Sequence, residues 1–285
     1  MTETRHIRET IKSRKTLEGA GVHLHRAIGF GRPEQYDPFL LLDDFRSDTP
    51  DEYMKGFPWH PHRGMETITY VLRGEVEHGD SLGNRGVIRA GDIQWMSAGN
   101  GIIHQEMPKG DETGAMHGFQ LWANLPAANK MSTPRYRGIT AAEVPIVTDP
   151  GGATIKVVAG TVAGVTGPAR DVAIQPDYLD VTVPPGGTFV HATPRGHTVF
   201  AYVIGGTGYF DLQRDRAISD RHLVSFGDGD QVSISTESES VRFLLIAGKP
   251  IKEPIAWRGP IVMNTNEELQ RAFEELDRGT FIKTK

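Results

Sequence analysis

Apolar and polar residues alternate along most of this chain in short runs that glycine and proline close off. "ETITYVLRGEVEH" (66–78), "GVIRAGDIQWMSAG" (86–99), "TVFAYVIGGTGYFDL" (198–212) and "VRFLLIAG" (241–248) are rich in Val, Ile, Tyr and Phe, with turn residues at their ends. Branched and aromatic side chains suit a pleated, half-buried surface, so the pattern predicts an all-β sandwich or barrel. The period changes once, in "NTNEELQRAFEELDRG" (264–279). Leu269, Ala272, Phe273 and Leu276 follow i, i+3, i+4, i+7, the spacing of one helix face. Thr265 and Glu268 can close a capping box, and Gly279 can stop the helix.

The strand pattern also repeats. At an offset of 132 residues, "HPHRGMETITYVLRG" (60–74) lies over "ATPRGHTVFAYVIGG" (192–206). Arg63, Gly64, Tyr70, Val71 and Gly74 coincide with Arg195, Gly196, Tyr202, Val203 and Gly206, and the apolar alternation stays in phase. Two tandem copies of one β unit are the reading, joined by the polar, Pro-containing "ANLPAANKMSTPRYRGIT" (123–140). The expected domains are 1–138 and 139–285.

Composition narrows the chemistry. Among 285 residues the net charge is -5, which gives no basic footprint for nucleic acid. No apolar run approaches a membrane span, and the charged N-terminus has no apolar signal segment. The expectation is a soluble, cytoplasmic, monomeric protein. Cysteine is absent, so disulfides, thiolate metal sites and a Cys nucleophile are excluded, and a metal must use His and carboxylate.

Such a set is present. In a strand, residues i and i+2 share a face, so His60 and His62 can aim at one point. His104 and Glu106 offer a second i, i+2 pair after the Gly-rich turn in "GNGIIHQEMP" (99–108). Face to face, the pairs make a three-His, one-carboxylate site suited to iron, manganese, nickel, copper or zinc. The second copy has Ala192 and Pro194 at the histidine positions, so the unit can be built without these ligands. Glu66, four residues after His62, competes with Glu106 as the acid. His23 and His25 form a rival HxH without a partner pair and read as solvent-facing, and isolated His78 and His117 read as structural. Phe57, Trp59 and Trp122 are candidates for walling a substrate pocket.

"DPFLLLDDF" (37–45), "FPWHPHRGMETITYVLRG" (57–74), "GDIQWMSAGNGIIHQEMP" (91–108), "HGFQLWANLP" (117–126) and "GPIVMNTNEELQRAF" (259–273) resemble the pirins, a branch of the two-domain cupins. The resemblance implies two tandem cupin barrels of the double-stranded β-helix (jelly-roll) type with a C-terminal helix, whose tail returns toward the N-terminal domain. It implies one Fe(2+) in the N-terminal barrel, held by His60, His62, His104 and Glu106, and a metal-free second barrel. Glu66 then becomes a candidate for supporting the ligands from outside the coordination sphere. Pirins of bacterial type resemble quercetin 2,3-dioxygenases, which open a flavonol ring with O2 and release carbon monoxide. Glu106 is the ligand that could double as the catalytic base. Other pirins are iron-dependent binding partners of transcription factors, so the alternative is a regulatory binding protein with a protein partner.

Overall fold

A computed structural model describes residues 2–283. The chain forms two units that do not follow its linear order: residues 2–14 join Ala142–Pro250, and Lys15–Ala141 joins 251–283. The cut expected at 138/139 falls at 141/142 and the tail joins the first unit, as the resemblance implied, but the N-terminal segment belongs with the second unit. The N-terminal strand Ile7–Lys12 pairs antiparallel with His222–Phe226, and the C-terminal tail belongs with the first barrel strands. Tertiary pairing of the N-terminal strand leaves no trace in local composition, which is why a single cut in the linker misassigns it.

The unit containing Ala142–Pro250 is built on an eight-stranded antiparallel sheet whose central strands are Thr198–Gly208 and Val241–Gly248, with Thr188–Ala192 and Gln231–Ser235 as a separate pair. Val157, Leu179, Phe189, Val203, Phe210, Phe243 and Leu245 are among its fully buried core residues. The other unit has a seven-stranded sheet centred on Met65–Arg73 and His117–Asn124. Its four-stranded sheet runs in the order Phe57–His62, Ile102–Lys109, Glu75–Asp80, Arg85–Arg89. Val22, Leu24, Phe45, Val71, Val76, Ile88 and Met116 pack together inside it.

The repeat seen in sequence is also a repeat of backbone. Gly64 and Gly196 both have φ +75°, and Gly74 and Gly206 have +76° and +70°. These are left-handed conformations that glycine adopts without steric cost. Among the described residues the single long helix is Asn266–Asp277. Thr265 accepts from the Glu268 amide while the Glu268 side chain accepts from the Thr265 amide, closing the capping box. Its apolar stripe lies against Ala256, Ile261, Met263 and Phe281 of the same tail. Among the described residues no helix is long and apolar enough to cross a membrane.

Candidate metal centre

His60 and His62 end the Phe57–His62 strand, and His104 lies on the neighbouring Ile102–Lys109 strand, paired directly with His60. The three rings form a triangle with centroids 4.4 to 5.0 Å apart. Each offers a ring nitrogen within 4.8 Å of the others'. His62 and His104 are fully buried and His60 is partly so. The burial of His62 and His104, then the mutual proximity of the rings, holds both well below the usual imidazole range. Neutral rings are the form that binds metal.

Hydrogen bonding selects the nitrogen that each ring presents. His60 Nδ1 is 2.8 Å from the Pro58 carbonyl and His62 Nδ1 is 3.2 Å from the Pro260 carbonyl. A carbonyl only accepts, so each Nδ1 carries the proton and each Nε2 keeps a free lone pair. His62 Nε2 and both nitrogens of His104 are buried without a hydrogen-bond partner. Buried polar atoms are ordinarily paired. Three convergent imidazoles with unpaired nitrogens fit a divalent cation of borderline softness, and this cluster could bind a metal.

Glu106 is not among the residues whose ligand atoms lie within 4.8 Å of one another; with His60 and His62 it lines a cavity of about 400 Å³. Its Oε1 is 2.7 Å from Thr69 Oγ1, which is also 2.6 Å from Gln120 Oε1. A hydroxyl carries one hydrogen. Both short contacts hold if Gln120 turns its amide NH2 toward Thr69 or if Glu106 is protonated. Burial pushes the Glu106 carboxyl up to about 7, against the opposing bond from Thr69.

Glu66 does not support this site. Thr69 points into the cavity from the Met65–Arg73 strand, and Glu66 is three positions away, which on a regular strand means the opposite face. There it accepts from Trp95 Nε1 at 3.1 Å and from Ser97 Oγ. The expected pocket wall is corrected in one place as well. Phe57 and Trp122 line the cavity, and Trp122 stands edge-on to His62 at 5.2 Å. Trp59 is 54% exposed and lies outside that cavity, beside Glu77, His78 and Arg85. A bulge between His104 and Glu106, where the partner residue skips from His60 to Phe57, shifts the alternation there.

The remaining histidines stand apart. His23 faces Glu52 at 3.4 Å, His78 meets the Tyr136 hydroxyl at 2.6 Å, and His117 lies 3.7 Å from Asp44. Reading the sequence missed Thr69, Gln120 and the Arg26–Asp43 pair, all of which line the cavity. Arg26 grips Asp43 through two bonds of 2.8 and 2.7 Å. A signal was available for Thr69, whose parity with Val71 places it inside.

Family models agree with this geometry. One described as Pirin matches residues 21–123, and one described as Pirin C-terminal cupin domain matches 178–282. The chain belongs to the pirin family. A Pseudomonas aeruginosa relative that provisionally bears the name quercetin 2,3-dioxygenase is 42% identical over 283 residues, covering 98% of this pirin and 99% of its own length. The crystal structure of quercetin 2,3-dioxygenase from Acinetobacter baumannii superposes with a TM-score of 0.89 at 31% identity, covering 98% of each chain. A bacterial pirin from Escherichia coli, solved in complex with nickel(II), shares the fold at a TM-score of 0.65 and 23% identity, over 85% of this chain and 98% of that one. Both units are thus cupin domains of an all-β protein with one C-terminal helix.

Proposed function

We propose that this chain is a metal-dependent dioxygenase that opens the ring of a flavonol such as quercetin, with His60, His62, His104 and Glu106 holding Fe(2+). Manganese, nickel, copper or zinc would suit the same donors. The observation that carries the reading is the set of three convergent imidazoles, two of them buried with unpaired nitrogens, at a cavity that His60 and His62 line together with the buried Glu106. The name and the TM-score of the Acinetobacter protein support the choice of reaction. When bound, the metal would act as a Lewis acid that favours the deprotonated 3-hydroxyl of the flavonol and gives dioxygen an activated partner. The flavonol takes up both atoms of dioxygen and loses one carbon as carbon monoxide.

The protein's share of the chemistry follows from its own side chains. Nδ1–H bonds to Pro58 and Pro260 keep the His60 and His62 lone pairs turned inward. Glu106 is the ligand that could release and accept the 3-hydroxyl proton on Oε2, while Oε1 stays with Thr69. Leu24, Leu41, Phe45, Phe57, Val76 and Trp122 wall the cavity. They present an apolar slot for a planar aromatic ring and keep out bulk water. A cavity of about 400 Å³ lies in the range of small-molecule sites.

The test is the loss of quercetin absorbance on adding the iron-loaded protein in air. Turnover that stops on chelation and returns with Fe(2+) supports the reading. No turnover with any of the five metals overturns it.

A further inference from the structure

The segment that follows His60 and His62 is held from the other end of the chain. Arg63 is almost fully buried, and its guanidinium makes three bonds of 2.8 Å, to the carbonyls of Asn100 and Phe281 and to Glu275 Oε2. Its guanidinium carbon also lies over the Phe281 ring, 4.1 Å from the centroid. The Arg63 carbonyl accepts from the Val262 amide at 3.0 Å. Gly64 approaches the same strand so closely that a Cβ there would sit 1.9 Å from the Val262 carbonyl oxygen. Lys130, buried, draws the two backbones together, with Nζ 2.8 Å from the Gly64 carbonyl, 3.1 Å from the Val262 carbonyl and 2.6 Å from Asn124 Oδ1. The product of these contacts is the position of Pro260, whose carbonyl accepts the hydrogen bond from His62 Nδ1–H.

The internal repeat supplies the control. Gly196 has the same φ of +75°, yet a Cβ on it would meet nothing within 4 Å. Arg195, the counterpart of Arg63, is 51% exposed where Arg63 is 3% exposed, and its partners are the surface carboxylates of Glu3 and Asp230. In the second copy the same turn is braced differently, from the N-terminal segment, where buried Arg5 bonds Thr193 Oγ1 and the carbonyls of Pro194 and His197. Close packing against the turn glycine, and a carbonyl handed to an imidazole, belong only to the copy that has the histidines.

We propose that residues 259–281 are a positioning strap for the metal centre: anchored by Arg63 and Lys130, they set the tautomer and orientation of His62 through the Pro260 carbonyl, and the affinity for metal depends on them. This rests on the reading of His60, His62 and His104 as metal ligands. Partners that orient a ligating histidine typically change metal affinity ten- to hundredfold when lost. A free imidazole in water favours the Nε2–H tautomer only slightly, so one well-placed acceptor on Nδ1 decides which nitrogen is available.

The experiment compares the full-length wild-type protein with Arg63→Lys, Lys130→Met and Glu275→Gln. Ni(II) and Co(II) affinities are measured by competition with a chromophoric chelator, and the His62 tautomer of the metal-free protein by 15N NMR of the ring. Arg63→Lys keeps the charge but cannot span three acceptors, and Lys130→Met removes the ammonium that joins the Gly64 and Val262 carbonyls. Each is expected to weaken both metals about ten- to hundredfold and to let His62 populate Nε2–H. Glu275→Gln, on a part-exposed helix face, keeps the fold and both carbonyl bonds of Arg63, and is expected to lose a few-fold. Folded variants that melt earlier but keep wild-type affinity and the Nδ1–H tautomer overturn the strap and leave the metal centre standing. A wild-type protein that takes up neither metal overturns the centre itself.

Discussion

Thr69 and Glu106 meet at 2.7 Å, side chain to side chain, each from a different sheet of the same barrel. The contact places a carboxylate raised to about 7 inside a cavity that also bears imidazole, Gln120 and the Arg26–Asp43 pair. Its titration gives the first prediction. The folded protein binds the Glu106 proton more tightly than the unfolded chain does, so in the metal-free protein this group lowers stability as pH rises from about 4.5 to about 7. The full cost is roughly 3 kcal/mol once the group is ionised. His62 and His104, held low, act in the opposite sense, adding stability as pH rises toward the ordinary imidazole range. The comparison with Glu106→Gln cancels them. Urea unfolding of the metal-free proteins should show Glu106→Gln gaining about 2 kcal/mol on wild type between pH 5 and pH 8. A difference that does not change with pH contradicts the buried carboxyl.

Removing a ligand tests the centre more bluntly. His60→Ala and His104→Ala are each expected to lose stoichiometric metal by elemental analysis and to lose turnover with it. A variant that keeps full turnover without bound metal would refute the assignment.

The strand period made half of this site legible. His60 and His62 at i, i+2, and His104 with Glu106 at the same spacing, could be placed on shared faces because every regular strand alternates. The repeat showed that Ala192 and Pro194 serve the fold equally well. The choice between Glu66 and Glu106 was not legible from spacing. It depends on which face of the Met65–Arg73 strand turns inward, and that is set by sheet packing. The bulge between His60 and Phe57 was not legible: it brings Phe57 to the cavity side, whereas Trp59 follows the plain alternation away from His60 and His62. The helix at Asn266–Asp277 was legible in full, because its cap and stripe are local. Its service to Arg63 was not, since Arg63 and Glu275 are 212 positions apart.

Gly64→Ala and Gly196→Ala separate backbone strain from close approach. Both place a Cβ on a left-handed residue, which costs about 1 kcal/mol. Only at Gly64 does that Cβ also strike backbone, the Val262 carbonyl. Chemical denaturation should show Gly196→Ala losing about 1 kcal/mol and Gly64→Ala losing 3 kcal/mol or more, of the order of other forced core clashes. Equal losses would contradict the tail's position.

Trp122 and Trp59 should part in kinetics. Trp122→Ala removes a cavity wall next to His62 and is expected to raise KM for quercetin about tenfold, the scale of a lost aromatic contact. Trp59→Ala, outside the cavity, should leave KM within about twofold, as surface changes generally do. Steady-state kinetics with both variants decides it, and the reverse ranking would move the substrate elsewhere.

The most direct test of the central claim is gas stoichiometry during turnover. Iron-loaded wild-type protein and His104→Ala are given quercetin in a closed oxygen-electrode cell, and released carbon monoxide is measured by its binding to reduced haemoglobin. A flavonol dioxygenase built on His60, His62, His104 and Glu106 predicts one O2 consumed and one CO released per quercetin, with neither from His104→Ala. Iron-loaded wild-type protein that consumes no O2 with quercetin, or a His104→Ala variant that matches it, would contradict the account.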